Sequence, residues 1–157
     1  MQSDLNRVIL ESGQGDSFSI SGAQFSIKAN STETRESFAV ITCLAPPEYP
    51  GLPAHIHRQT IEVIYVLEGQ LTVLLADTSK HVSAGNLVFI PAEVVHRFSN
   101  TDQIPAKFLL ISTPGGLDQY LQELATTIEN HGYPPPKAVM ANLASAYDWE
   151  TLPSLLE

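Results

Sequence analysis

Cysteine and positive charge are what this sequence has least of. Cys43 is the only cysteine, so no disulfide can form within the chain and the fold must be held by packing. Its setting, Val40-Ile41-Thr42-Cys43-Leu44, is apolar, which marks a buried structural thiol and not a nucleophile. Only 8 lysines and arginines stand against 17 aspartates and glutamates, a formal net charge of −9. Nucleic-acid backbones are held by clustered cations, and no such cluster is visible, so no nucleic-acid partner is expected. An acidic surface is equally unsuited to anionic lipid. No apolar run has the length needed to cross a membrane, and residues 1–7 lack the basic-then-apolar pattern of a signal peptide. The expectation is a reducing, cytoplasmic setting without membrane contact.

What is present is apolar and divided into short pieces. Of the 157 residues, 43% are hydrophobic and 16% charged, which suits one domain large enough to bury a core. Residues 16–113 read as short β-strands separated by turn residues. The segment 37–44 is rich in β-branched and aromatic residues and stops at Pro46-Pro47. Segments 61–67 and 71–75 flank Glu68-Gly69-Gln70, the signal of a tight hairpin. Segment 87–90 follows Gly85-Asn86 and ends at Pro91, and 107–112 ends at Thr113-Pro114-Gly115-Gly116. Many short strands with such turns predict a sandwich or barrel. The strand at 61–67 is apolar on both faces, with Val63, Tyr65 and Leu67 on one side and Glu62, Ile64 and Val66 on the other. Its outer face therefore needs a cover, from elsewhere in the chain or from a second subunit.

After residue 115 the period changes. Leu117, Tyr120, Leu121, Leu124, Ala125 and Ile128 recur at helical spacing, with Gly132 where the helix should end. Pro134-Pro135-Pro136 is a rigid connector. Val139, Met140, Leu143, Ala144 and Tyr147 predict a second, shorter helix. The expected organisation is an N-terminal arm at 1–15, a β-barrel at 16–114, and a helical extension at 115–157 that packs on the barrel or on a dimer partner.

The chemistry-bearing residues cluster in the middle of the chain. Of five histidines, His55 and His57 are separated by one residue, so on an extended strand both side chains aim to one face. Glu62 follows after a gap long enough for a turn, and His96 lies just beyond the strand that ends at Pro91. Three imidazoles and a carboxylate form a mixed nitrogen and oxygen donor set suited to Mn, Fe, Co, Ni, Cu or Zn. A lone histidine on an apolar strand is more often a satisfied core residue; the combination points to one divalent transition-metal ion. His81 beside Lys80 reads as a solvated strand residue, and His131 before Gly132 as a favourable charge at a helix C-terminus. Arg97 alternates with the inward His96 and is expected to face outward.

These residues resemble the cupin superfamily. Gly51, His55, His57, Glu62 and Gly69 match its first motif, which runs from a glycine through His-x-His to a glutamate and a second glycine, although Gly51 lies closer to the first histidine than is usual. Gly85, Pro91, His96 and Asn100 keep the spacing of its second motif, Gly-x5-Pro-x-Gly-x2-His-x3-Asn, with Glu93 where the family has glycine. The resemblance implies an all-β double-stranded β-helix, a jelly-roll barrel, with two C-terminal α-helices and metal ligands His55, His57, Glu62 and His96 in its interior. The helices after Gly115-Gly116 look like those of small bacterial cupins related to quercetin dioxygenases. That likeness implies a dioxygenase-type oxidoreductase acting on a small aromatic or carbonyl substrate in a dry pocket beside Ile64 and Val66. Glu62 would be its catalytic base. The alternative is a non-catalytic module that binds or senses a small molecule through the metal. A sugar or keto-acid isomerase would need more basic pocket residues than the chain offers. Cupins often pair through their sheets, so a homodimer is expected.

Overall fold

Alternation of burial along each strand builds two facing sheets. The computed structural model describes residues 9–152, so the first eight residues of the expected N-terminal arm lie outside the described residues, as do the last five of the helical extension. The strands are β1 (Asp16–Ile20), β2 (Ala23–Ala29), β3 (Ala39–Ala45), β4 (His55–Ile56), β5 (Ile61–Glu68), β6 (Gln70–Leu75), β7 (Thr78–Ser83), β8 (Leu87–Ile90), β9 (His96–Ser99), β10 (Ala106–Thr113) and β11 (Glu150–Thr151). The larger sheet runs β1-β2-β3-β10-β5-β8 and the smaller β11-β4-β9-β6-β7. In β3, Ala39, Ile41, Cys43 and Ala45 are buried while Leu44 faces out. Phe25, Ile64, Val66, Phe108 and Leu110 of the larger sheet meet Leu71, Val73 and Phe98 of the smaller one in a single apolar core. This is the double-stranded β-helix with C-terminal helices. Burial pushes the pKa of the Cys43 thiol up, so it stays protonated, as its apolar neighbours suggested.

Helix α1 (Leu117–His131) buries Leu117, Tyr120, Leu121, Leu124 and Ala125, the stripe read from its sequence. It packs against β1, β3 and the shorter helix α2 (Lys137–Ser145). Its first turn is anchored by Asp118, a buried carboxylate that accepts a hydrogen bond from the Ser31 backbone N–H at 2.9 Å and another from the Ser31 hydroxyl. Gly132 ends the helix with φ 80°.

Because α1 sits at the β1–β3 end, it leaves the outer face of β5 and β8 uncovered. Tyr65 and Leu87 are opposite one another, as are Val63 and Phe89. Tyr65, Leu67, Leu87 and Phe89 are 39%, 40%, 59% and 56% exposed.

Two backbone positions fix the turns beside the centre of the molecule. Gly51 has φ 78°, and a Cβ there would lie 1.9 Å from the Phe98 carbonyl oxygen. Its close approach to β9 requires glycine. Glu93 has φ 65°, so it adopts the left-handed conformation that the usual motif glycine would take, and its N–H donates to the His57 carbonyl at 2.7 Å. The turn survives the replacement, at a conformational cost. Gly51→Ala should therefore destabilise the fold by about 2 kcal/mol or more, through steric overlap and a forced left-handed alanine. Glu93→Gly should stabilise it by about 0.5–1 kcal/mol. Urea unfolding of the two variants checks both signs.

Candidate metal centre

Sheet pairing brings the four chemistry-bearing residues together from distant parts of the chain. β4 and β9 are neighbours, with His55 directly opposite His96. Glu62 is the second residue of β5 in the opposing sheet and points inward at the head of the Glu62, Ile64, Val66 face. His57 stands one residue past β4, where the chain turns toward β5. His55, His57, Glu62 and His96 are each at most 2% exposed. Each offers one ligand atom, and these atoms all lie within 4.8 Å of one another. His57 Nε2 is 3.3 Å from Glu62 Oε1, and His96 Nε2 is 3.0 Å from Glu62 Oε2. Even so, His57 Nε2, His96 Nε2 and Glu62 Oε2 have no hydrogen-bond partner. Buried polar atoms are nearly always paired, so three such atoms converging on one point fit the ligand set of a cation.

The other ring nitrogen of each histidine is spoken for. His55 Nδ1 is 2.8 Å from the Pro53 carbonyl, His96 Nδ1 is 2.9 Å from the Val94 carbonyl, and His57 Nδ1 contacts the Asp148 carbonyl. A carbonyl can only accept, so Nδ1–H donates in each case and Nε2 is left to face the cluster. Burial pushes the pKa of His55 well below its ordinary value, reinforced by the nearby His96, which keeps it a neutral donor. For Glu62, burial pushes the carboxyl up, but the facing His57 and His96 imidazoles pull it further down. For His57, burial acts downward and is outweighed by the Glu62 carboxylate, so its pKa is raised.

Sequence reasoning missed the segment that closes this cluster. Trp149 stacks on His55 with ring centroids 3.5 Å apart, meets His57 edge-on at 5.3 Å, and stacks on Tyr120 of α1 at 4.3 Å. It is the only tryptophan in the chain, and that rarity was the one signal that could have singled it out. Asp148 accepts hydrogen bonds from the backbone N–H groups of Arg58, Gln59 and Thr60 at 2.6, 2.9 and 2.7 Å and from the Thr60 hydroxyl at 2.8 Å. Burial raises its pKa, but these donors lower it by more, so it stays ionised.

The dry pocket expected beside Ile64 and Val66 is filled, since both are fully buried members of the packed core. Space near the cluster lies instead beneath the helical extension. A cavity of about 270 Å³ is bordered by His57, Thr60, Tyr120 and Trp149, and an apolar one of about 760 Å³ by Tyr120, Leu124, Met140 and the far edge of Trp149. The remaining candidates stand apart. His81 is exposed on β7 near Thr72, and His131 is exposed in the last turn of α1. Glu93 is exposed with Arg58 3.9 Å away. Half-buried Arg97 alternates with buried His96 and Phe98 and so lies on the opposite face of β9.

Comparison with known proteins agrees with this architecture. Residues 41–112 match the family model of the cupin domain. Quercetin 2,3-dioxygenase of Bacillus subtilis is 27% identical over 126 residues, covering 80% of this chain and 37% of that protein. The chain spans between 28% and 48% of the length of the curated relatives it matches. A crystal structure described as a predicted oxalate decarboxylase from Thermotoga maritima superposes with a TM-score of 0.63 at 17% identity, over 68% of this chain and 98% of that one. A sugar phosphate isomerase from Silicibacter pomeroyi superposes at 0.52 with 23% identity, over 59% of each chain. These two likenesses show the fold. Both motifs, the domain match and the two-sheet barrel around a buried His/His/Glu/His cluster agree: residues 41–112 carry a cupin domain.

Proposed function

We propose that His55, His57, Glu62 and His96 hold one divalent transition-metal ion, and that the protein is an enzyme acting on a small organic substrate by dioxygenase-type chemistry. The observation that carries the metal assignment is the convergence of four buried ligand atoms, all within 4.8 Å of one another, while the other nitrogen of each histidine is engaged elsewhere. Imidazole and carboxylate lone pairs that face one another at 3.0–3.3 Å are best satisfied by a shared cation. The mixed imidazole and carboxylate set suits Mn, Fe, Co, Ni, Cu or Zn. When bound, such an ion supplies Lewis acidity toward a substrate oxygen. The 27% identity to quercetin 2,3-dioxygenase supports the oxygen chemistry. A small aromatic or carbonyl compound fits the cavity of about 270 Å³ beside His57. Glu62, buried behind His57 and outside that cavity's lining, is the proposed base, which a substrate would have to reach past His57.

A second reading is a metal-dependent binding or sensing module. What favours it is closure: the four side chains are at most 2% exposed, and Trp149 lies across His55. Oxygen uptake by defined-metal protein, offered phenolic and diketone substrates, separates the two. Ligand-induced stabilisation without turnover would favour the module.

The uncovered outer face of β5 and β8 supports a further part of this reading. Its four exposed apolar side chains fit a second copy of the same face, paired about a twofold axis, which would make a homodimer.

Four outcomes are expected. Elemental analysis should find about one metal per chain in the parent and in the His81→Ala and His131→Ala proteins, and almost none in His57→Ala or His96→Ala. Metal affinity should also fall with falling pH. The pKa of His57 is raised above its ordinary 6.5, so below that raised value a cation must displace its proton, and weakening should begin above pH 6.5 in chelator competition. Glu62→Gln, loaded with metal, should lose roughly a hundredfold or more in turnover; near-parental turnover would remove Glu62 as the base. Light scattering should give a species of twice 17.1 kDa, and Phe89→Ser with Leu87→Ser should shift it to the monomer.

A further inference from the structure

Of the three cluster histidines, two are oriented locally and one is not. His55 and His96 donate to carbonyls two residues behind them, at Pro53 and Val94. Those bonds form as soon as the local turns form. His57 donates to Asp148, 91 residues further along the chain. Its ring is aimed at the cluster only when the segment 147–152, which follows α2, is in place.

That segment is latched directly behind His57. The Asp148 carboxylate gathers three consecutive backbone N–H groups and a hydroxyl from residues 58–60, the turn that His57 enters. β11 then pairs with β4, setting Thr151 opposite His55, and the Leu152 N–H donates to the Ala54 carbonyl at 3.1 Å. Arg58 reaches Glu150 at 2.6 Å. Trp149, held by its Nε1–H donating to Thr151 Oγ1 at 3.0 Å, lies flat on the His55 ring. One short strap therefore orients His57 with a main-chain carbonyl and covers His55 with an indole.

We propose that this strap is a working part of the metal centre, with Asp148 as a positioning residue: docking of the strap and binding of the metal reinforce each other. The inference rests on the metal-centre reading above. The physical argument is linkage. An ion that holds His57 Nε2 fixes the ring whose Nδ1–H holds the Asp148 carbonyl, so the ion stabilises the docked strap. A docked strap raises the affinity for the ion by the same factor. Groups that orient metal-binding histidines typically change metal affinity by about 10–100-fold when lost. Since Trp149 also closes the cluster, lifting the strap is what opens the face of His55 toward the two cavities.

Zinc affinity, measured by chelator competition on the full chain, tests the coupling. Asp148→Ala keeps the carbonyl but removes the latch, and should weaken zinc binding by about 10–100-fold. Asp148→Asn, which keeps one oxygen acceptor, should recover part of the loss. A residue with a merely structural role would lower the melting temperature and leave zinc affinity unchanged. The parent protein supplies the reciprocal measurement, which needs no variant to fold: saturating zinc should slow hydrogen exchange at the Leu152 amide and at the Arg58 and Thr60 amides. Exchange unchanged by bound zinc, or parental zinc affinity in folded Asp148→Ala, overturns this inference and leaves the metal centre standing. A parent that binds no zinc overturns both.

Discussion

A carboxylate buried between two sheets is the constraint on which this structure turns. Glu62 is 2% exposed and sits at the head of a strand whose other inward residues, Ile64 and Val66, are fully apolar core. An isolated buried charge is tolerated only when it is paired. The pairing comes from the opposing sheet, where His96 on β9 faces it, and from His57 beyond β4. The sheets must therefore close with β4 and β9 directly over the start of β5. The glycine at 51, pressed against β9, and the left-handed Glu93, bonded to the His57 carbonyl, are the two turns that make this closure geometrically possible.

The same constraint explains the division of labour between barrel and extension. The barrel supplies all four candidate ligand atoms but lets two of the three imidazoles orient themselves against local carbonyls. The extension supplies the third carbonyl and the aromatic cover. Tyr120 of α1, Trp149 of the strap and His55 of β4 form one continuous stack, so α1 is connected to the cluster through aromatic contacts. Cavities flank that stack beneath the extension, while the barrel core itself is filled. Of the four cluster residues, only His57 borders either cavity.

The exposed face of β5 and β8 has a different origin. A strand in the middle of a sheet must bury its inner face to make the core, but here its outer face is apolar too, and α1 packs at the far β1–β3 end of the same sheet. An apolar outer face that the described chain does not cover is unfavourable for an isolated subunit in water.

Much was legible in the sequence because it is carried by local periodicity. The helical stripe from Leu117 to Ala125 and the strand ending at Pro91 appear where spacing and turn residues put them. So does the convergence of His55, His57, Glu62 and His96, because the cupin motif encodes a three-dimensional arrangement as a fixed spacing. The hairpin expected around Gly69 does not form: the turn is there, but β5 and β6 on either side of it join different sheets, β5 pairing with β10 and β8 and β6 with β7 and β9. The strap was not legible. β11 has two residues, Asp148 acts through a main-chain carbonyl that every residue possesses, and Trp149 reads alone as an ordinary core aromatic. The filled space around Ile64 and Val66 was equally hidden, since an apolar residue lines a cavity or packs a core according to what the opposite sheet places against it. Sequence determined which side chains could bind a metal ion and that they lie on, or directly beside, strands. Tertiary structure alone decided which carbonyl orients His57, what covers His55 and where space remains, because those depend on contacts between residues about ninety positions apart, which no local period records.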